Sequence, residues 1–181
     1  MIKDFKQFYE LFKYKSGDMY PYGCVMIYPN VDNWEEMTSI IDKDDIYDPE
    51  PRYGVETDPH VTLLYGLHPE VTPEDIEGII NKFKGKDLSI NINGVGKFDD
   101  DEKFNVVKLD VDSPILHDMN SELRKLPHTS DFPDYNPHMT LAYVKPGKAD
   151  KYLSGDYRKE FKNINKIVYS MPNGQKIDFN L

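Results

Sequence analysis

Apolar positions along the chain change period from element to element. Phe5, Phe8, Tyr9 and Phe12 recur at helical spacing ahead of Gly17 and predict an N-terminal helix over 4–15. Gly23 to Tyr28 reads as a short buried strand closed by Pro29. Asp32 with Glu35 has the form of a capping box, and Trp34, Met37, Ile40 and Ile41 would be the apolar face of the helix behind it. Residues 42–58 are acidic and broken by Pro49 and Pro51, with Pro59 following, so they are expected to form a surface loop. Thr72, Pro73 and Asp75 announce a helix whose buried stripe is Ile76, Ile79, Ile80 and Phe83, stopped by Gly85. Strands near 87–98 and 104–111 flank the acidic turn at 99–102. Ser113 and Pro114 open a helix with Ile115, Leu116, Met119, Leu123 and Leu126 on one side. A loop over 127–137, a short helix over 152–161 and a hairpin of 166–170 with 175–180 around Pro172-Asn173-Gly174 complete the expectation.

One pattern occurs twice. Residues 58–65 read Asp58-Pro59-His60-Val61-Thr62-Leu63-Leu64-Tyr65, and residues 136–143 read Asn136-Pro137-His138-Met139-Thr140-Leu141-Ala142-Tyr143. Each is β-branched and aliphatic behind a proline, which a strand accepts at its start. Side chains alternate across a strand, so His60 and Thr62 share one face while Val61 and Leu63 share the other, and His138 and Thr140 behave alike. By the same parity Tyr65 and Tyr143 fall on the core side. Placed side by side, the two strands offer two imidazoles and two hydroxyls to one small volume. The order of elements supports an α+β protein built of two similar β-α-β halves, each ending near a His-x-Thr strand.

Composition narrows what such a volume would serve. The chain has 181 residues, 30% of them charged, which fits one folded domain over 1–181. Its net charge of −10 disfavours a protein that tracks a long nucleic-acid backbone, because such backbones are held by neutralising phosphates. No membrane partner is expected, since no apolar run is long enough to span a bilayer. The single cysteine, Cys24, excludes an intrachain disulfide and suits a cytoplasmic setting. The substrate is therefore expected to be small and the protein to act as a monomer.

Imidazole titrates near ~6.5, so a histidine pair can hold one proton at neutral pH. One ring then removes a proton from an attacking oxygen while the other delivers one to the leaving oxygen. Threonine hydroxyls on the same faces suit the non-bridging oxygens of a phosphate. No metal or other cofactor is called for, and the spacing is not that of a zinc site.

The repeated His-hydrophobic-Thr-hydrophobic pattern, with its histidines 78 residues apart, resembles the two-histidine (2H) phosphoesterase superfamily. The resemblance implies a bilobal fold with pseudo-two-fold symmetry around a central cleft, phosphodiester chemistry without a metal, His60 and His138 as the acid–base pair, and Thr62 and Thr140 on the phosphate. With Gly23–Tyr28 and Tyr53-Gly54-Val55-Glu56 added, the chain looks most like the phage anti-CBASS phosphodiesterases. That implies cleavage of 3′-5′ bonds in cyclic di- and trinucleotide messengers of bacterial antiphage defence. The alternatives are an RNA-end 2′,3′-cyclic phosphodiesterase, a 2′-5′ oligoadenylate phosphodiesterase and a non-catalytic sponge for cyclic nucleotides. The pattern is symmetric and leaves open which histidine is acid.

Two further residues are candidates for substrate binding. Tyr28 is placed to stack on a base or to plug the end of its strand. Lys145 is placed to lend charge to the phosphate or to stand solvated in its loop. His68, His117 and His128 are expected at the surface, Trp34 at a helix start, and Cys24 as a small buried apolar side chain.

Overall fold

Both octets end up as edge strands of two similar antiparallel sheets. The structure is a computed structural model and describes residues 21–50, 53–99, 102–130, 132–155, 157–162, 164 and 166–180. The helix expected over 4–15 lies outside these residues. In chain order the elements are β1 (Gly23–Ile27), α1 (Trp34–Thr38), β2 (Val61–Leu67), α2 (Pro73–Ile80), β3 (Ile90–Phe98), β4 (Asn105–Asp112), α3 (Pro114–Leu123), β5 (His138–Val144), β6 (Lys159–Phe161), β7 (Lys166–Ser170) and β8 (Lys176–Asn180). One sheet has the order β2-β1-β7-β8 and the other β5-β4-β3-β6. Each therefore begins with a His-x-Thr strand paired to a β1-like or β4-like neighbour, and the two edge strands β2 and β5 lie against each other. The apolar faces, including Val25, Ile27, Val61, Leu109, Val111 and Met139, join α2 and α3 in one core. This is the α+β, two-lobed arrangement that the repeat predicts.

The best-specified helix is α2. The Thr72 hydroxyl accepts from the Asp75 amide at 3.2 Å, and the Asp75 carboxylate accepts from the Thr72 amide at 2.9 Å, while Pro73 occupies a position that needs no donor. Thr72→Ala should lower stability by about 1 kcal/mol, read as a shift of the urea midpoint with unchanged slope.

Three local expectations give way to tertiary contacts. The Asp32/Glu35 capping box does not form: Asn33 is the N-cap, its side chain makes no cap bond, and its Oδ1 accepts instead from Lys159 Nζ at 2.9 Å. Helix α1 ends at Thr38, so Ile41 enters the core from beyond it. The helix expected over 152–161 is replaced by a 3-10 turn at Asp150–Tyr152 and by β6, because Phe161 buries its ring only by pairing with Ile90 on the edge of β3.

The described parts of the acidic 42–58 segment, 42–50 and 53–58, form a strap along the outer edge of β5. Ile46 bridges Val144, Val55 bridges Ala142, and the Glu56 amide donates to Leu141 O at 2.9 Å. Covering that edge satisfies groups that would otherwise be free to pair with another chain. The strap is held at one end by buried Asp45, which accepts from Tyr152 Oη at 2.8 Å and pairs with Lys151 at 2.6 Å. At the other end Trp34 Nε1 donates to Glu56 O at 2.6 Å.

Candidate active site

The two histidines are held in the same way. His60 Nδ1 lies 2.8 Å from Asp58 O, and His138 Nδ1 lies 2.8 Å from Asn136 O. A carbonyl can only accept, so in each ring Nδ1 carries the hydrogen and Nε2 is the nitrogen left for other work. The turn that supplies the carbonyl is the Asx-Pro start of each octet, which bends back on the ring two residues later. The equivalence of the octets thus extends from sequence to hydrogen bonding.

Both strands also carry a β-bulge at the same octet position. Along β2 the register passes from Met26↔Thr62 to Val25↔Leu64, which leaves Leu63 unpaired. Along β5 it passes from Lys108↔Thr140 to Val107↔Ala142, which leaves Leu141 unpaired. A bulge frees backbone groups and resets the alternation beyond it. The freed carbonyls are both used: Leu63 O accepts from Asn120 Nδ2 at 2.6 Å, and Leu141 O accepts from the Glu56 amide.

The reset corrects the parity expected for the two tyrosines. Tyr65 pairs with Cys24, which shares a face with Met26 and hence with Thr62. Tyr143 pairs with Val106, which shares a face with Lys108 and hence with Thr140. Both tyrosines stand on the histidine side. Tyr143 packs there in a small aromatic cluster with Phe104, Val106, Tyr47, Tyr53 and Phe98, apart from the main core.

The surroundings of the two rings differ. Tyr28 flanks His60 with ring centroids 5.7 Å apart, and its phenol is raised above the ordinary tyrosine range, first by burial and then by Asp58. Phe98 stands edge-on to His138 at 4.9 Å. Lys108 Nζ lies 4.6 Å from the centre of that phenyl ring and is ion-paired with Asp110. Burial lowers the pKa of His138 from the usual 6.5 to about 4, the Asn136 carbonyl opposes this, and the charges of Lys108 and His60 add to it. His138 is therefore a neutral ring at physiological pH, with Nε2 able to accept a proton. Cys24, beside Thr62, has its thiol pushed up to about 12 by burial and stays protonated.

Two imidazoles with fixed tautomers and two strand hydroxyls, one per half, suit proton transfer on both sides of a phosphorus atom. A family model described as the 2′-5′ RNA ligase superfamily matches residues 29–164, a span that contains both octets.

The chain belongs to the 2′-5′ RNA ligase superfamily. This is the superfamily of two-histidine phosphoesterases, and as a member the chain is an enzyme of the phosphodiesterase class. Its fold is similar to that of Kluyveromyces marxianus Usb1 solved with uridine monophosphate, at 12% identity over 89% of this chain and 98% of that one, with a TM-score of 0.58. It is similar to E. coli LigT solved with 3′-AMP, at 14% identity over 89% and 95%, with a TM-score of 0.60. The Thermus thermophilus protein TT0787 aligns at 12% identity over 87% and 97%, with a TM-score of 0.54. No curated protein sequence matches the chain.

Among the residues expected at the site, Tyr28 stands beside His60, Thr62 and Thr140 sit on the ladders with Met26 and Lys108, and His60 comes near enough to His138 for its charge to act on that ring. Lys145 is not brought to them. It lies seven residues beyond His138 along a strand rising ~3.3 Å per residue, so roughly 20 Å away, and its Nζ donates to Asp44 O at 2.6 Å. The three remaining histidines have local partners. His68 Nε2 lies 2.9 Å from Thr129 Oγ1, His128 Nδ1 lies 2.8 Å from Leu126 O, and His117 stands edge-on to Tyr135 at 5.2 Å. Sequence reasoning missed Phe98, Lys108 and Asp110. The alternation Lys108-Leu109-Asp110-Val111 does place the two charges on one face of a strand, but nothing in it says that this face meets His138. Among the described residues no group of three His, Cys, Asp or Glu side chains is placed to hold a metal, and no helix is long and apolar enough to cross a membrane.

Proposed function

We propose that this chain is a metal-independent phosphodiesterase that cleaves 3′-5′ bonds of cyclic di- and trinucleotide messengers and so antagonises antiphage (CBASS) signalling. The observation that carries the chemistry is the matched pair of Nδ1–carbonyl bonds, which leave both Nε2 atoms for proton transfer. In the proposed reaction the 2′-hydroxyl next to the scissile linkage attacks phosphorus. His138 Nε2 takes its proton, and His60 Nε2 gives a proton to the departing 5′-oxygen. The product carries a 2′,3′-cyclic phosphate, which water opens with the two roles exchanged. Thr62 and Thr140 hydroxyls donate to the non-bridging oxygens as charge builds there. Tyr28 stacks on the base beside His60.

A small nucleotide substrate is supported by the net charge of −10 and by the structural neighbours, solved with uridine monophosphate, 3′-AMP and ATP. The anti-CBASS branch rests on the resemblance of Gly23–Tyr28, Tyr53–Glu56 and the first octet.

The test is incubation in EDTA with cyclic GMP-AMP, a cyclic trinucleotide, 2′-5′ oligoadenylate and a nucleoside 2′,3′-cyclic phosphate, followed by chromatography. Cleavage of the cyclic oligonucleotides, with 2′-deoxy analogues surviving, is the expected result. Cleavage confined to the last two substrates would assign an RNA-end or oligoadenylate activity instead. Tight binding without product would identify a sponge.

A further inference from the structure

The two octets share backbone geometry, yet the residues across their ladders differ. Across the β1–β2 ladder Thr62 faces Met26, and His60 stands beside Tyr28. Across the β4–β5 ladder Thr140 faces Lys108 and His138 faces Asp110. Directly opposed residues on an antiparallel pair have Cβ atoms within about 5 Å. His60 therefore has Tyr28 beside it, with Asp58 and Lys166 around that ring, while His138 has the Lys108–Asp110 pair on the strand directly across from it.

That charge pair is built into the strands around it. Lys108 is only 7% exposed in a protein with a net charge of −10. Buried lysines are rare unless paired, because an ammonium loses its hydration. Here Asp110, itself half-exposed, neutralises it, and the Phe98 ring lies under it. The third strand leaves room: Gly96 pairs with Lys108, and a Cβ there would stand 2.5 Å from the Asp110 carboxylate and 2.8 Å from Lys108 Nζ. Phe98 spans from the ammonium to the imidazole.

We propose that the Lys108–Asp110 pair tunes His138 and not His60, with Lys108 as a positioning residue that reinforces His138 as the proton acceptor. This rests on the two-histidine reading above. The charged and titratable groups that act on His138 are Lys108 and Asp110 from β4 and His60 from the head of β2, while β3 presents Gly94, Gly96 and Phe98 along the facing ladder. A nearby cation disfavours protonation of the ring, and a nearby carboxylate favours it. Removing Lys108 also leaves Asp110 without its partner, so both changes push in one direction.

The test is NMR titration of the His138 imidazole in the full-length protein, with kcat/KM against pH as a second readout. Lys108→Met should raise the midpoint by about one pH unit, a tenfold change in proton affinity, and Asp110→Asn should lower it. Lys108→Arg should leave it near wild type. The acidic limb of kcat/KM should move with the midpoint while KM changes little, a pattern that simple loss of packing does not produce. An unchanged or lowered midpoint in folded Lys108→Met overturns the proposal. Should that variant fail to fold, Asp110→Asn decides alone, and an unchanged or raised midpoint there overturns it. The titration needs no turnover. Ordered midpoints in a protein that cleaves none of the cyclic oligonucleotides would uphold the coupling and reject the proposed substrate class.

Discussion

His138→Ala should reduce turnover of a cyclic dinucleotide by ~10²–10⁴-fold, the range that a positioned acid or base contributes. His60→Ala should produce a loss of the same order. The double variant should fall little further than either single one, because two groups that work on one transition state are not additive. Steady-state kinetics on variants with unchanged circular dichroism checks this, and a His138→Ala protein that keeps more than a tenth of its activity would remove the ring from the chemistry. The pH dependence sharpens the point. His138 is held neutral by burial, with a pKa of about 4 against the usual 6.5. The acidic limb of kcat/KM should then reach half its plateau near pH 4. A limb near 6.5 would mean that this ring is not the group titrating in the free enzyme. The same shift has a consequence for stability. The unfolded chain binds a proton on this ring below ~6.5 and the folded chain does not until about 4, so the contribution of the neutral ring is complete above ~6.5 and is lost as pH falls from there through about 4. His138→Ala removes that part of the acid sensitivity.

Gly66→Ala should be the most destabilising small substitution near the site, by about 3 kcal/mol or more. Gly66 is the extra residue between the Cys24↔Tyr65 and Gly23↔Leu67 pairs, and its φ of +99° is strained for any residue with a Cβ. Its carbonyl accepts from the Thr129 amide at 2.9 Å. A Cβ at this position would fall far inside van der Waals contact with the Thr129 carbonyl oxygen. Both the strand and the docked segment would have to move. That segment runs on to His138, and on the way Tyr135 Oη donates to Thr62 O at 3.0 Å, so the damage reaches the site. A urea midpoint shift accompanied by a fall in kcat is the expected pair of results. Gly78→Ala is the control: it lies within α2, nothing stands within 4 Å of a Cβ built there, and the change should be neutral or stabilising by roughly 0.5–1 kcal/mol. Equal stability of the two variants would show that the Gly66–Thr129 contact does not hold the loop.

The two predictions draw on different levels of information. The octets, the α+β class and the positions of β1, β2, α2, β3, β4, α3, β5 and the final hairpin are legible in the chain, because each rests on local period, a cap or a turn that acts within a few residues. The Asx-Pro-His spacing likewise sets the Nδ1 bonds, since the accepting carbonyl is two residues away.

Other features depended on partners far along the chain. The bulges at Leu63 and Leu141 exist because a neighbouring strand sets the register, and they alone turn Tyr65 and Tyr143 to the histidine side. Asn33 fails to cap α1 because Lys159 takes its oxygen, and 159–161 is a strand because β3 offers an edge. Lys108 and Asp110 became relevant only when β4 paired with β5. The sequence by itself therefore determined the repeated chemical groups and their local orientation. The tertiary structure decided which charges surround each copy, since Coulomb interactions act through space between residues that no short pattern connects.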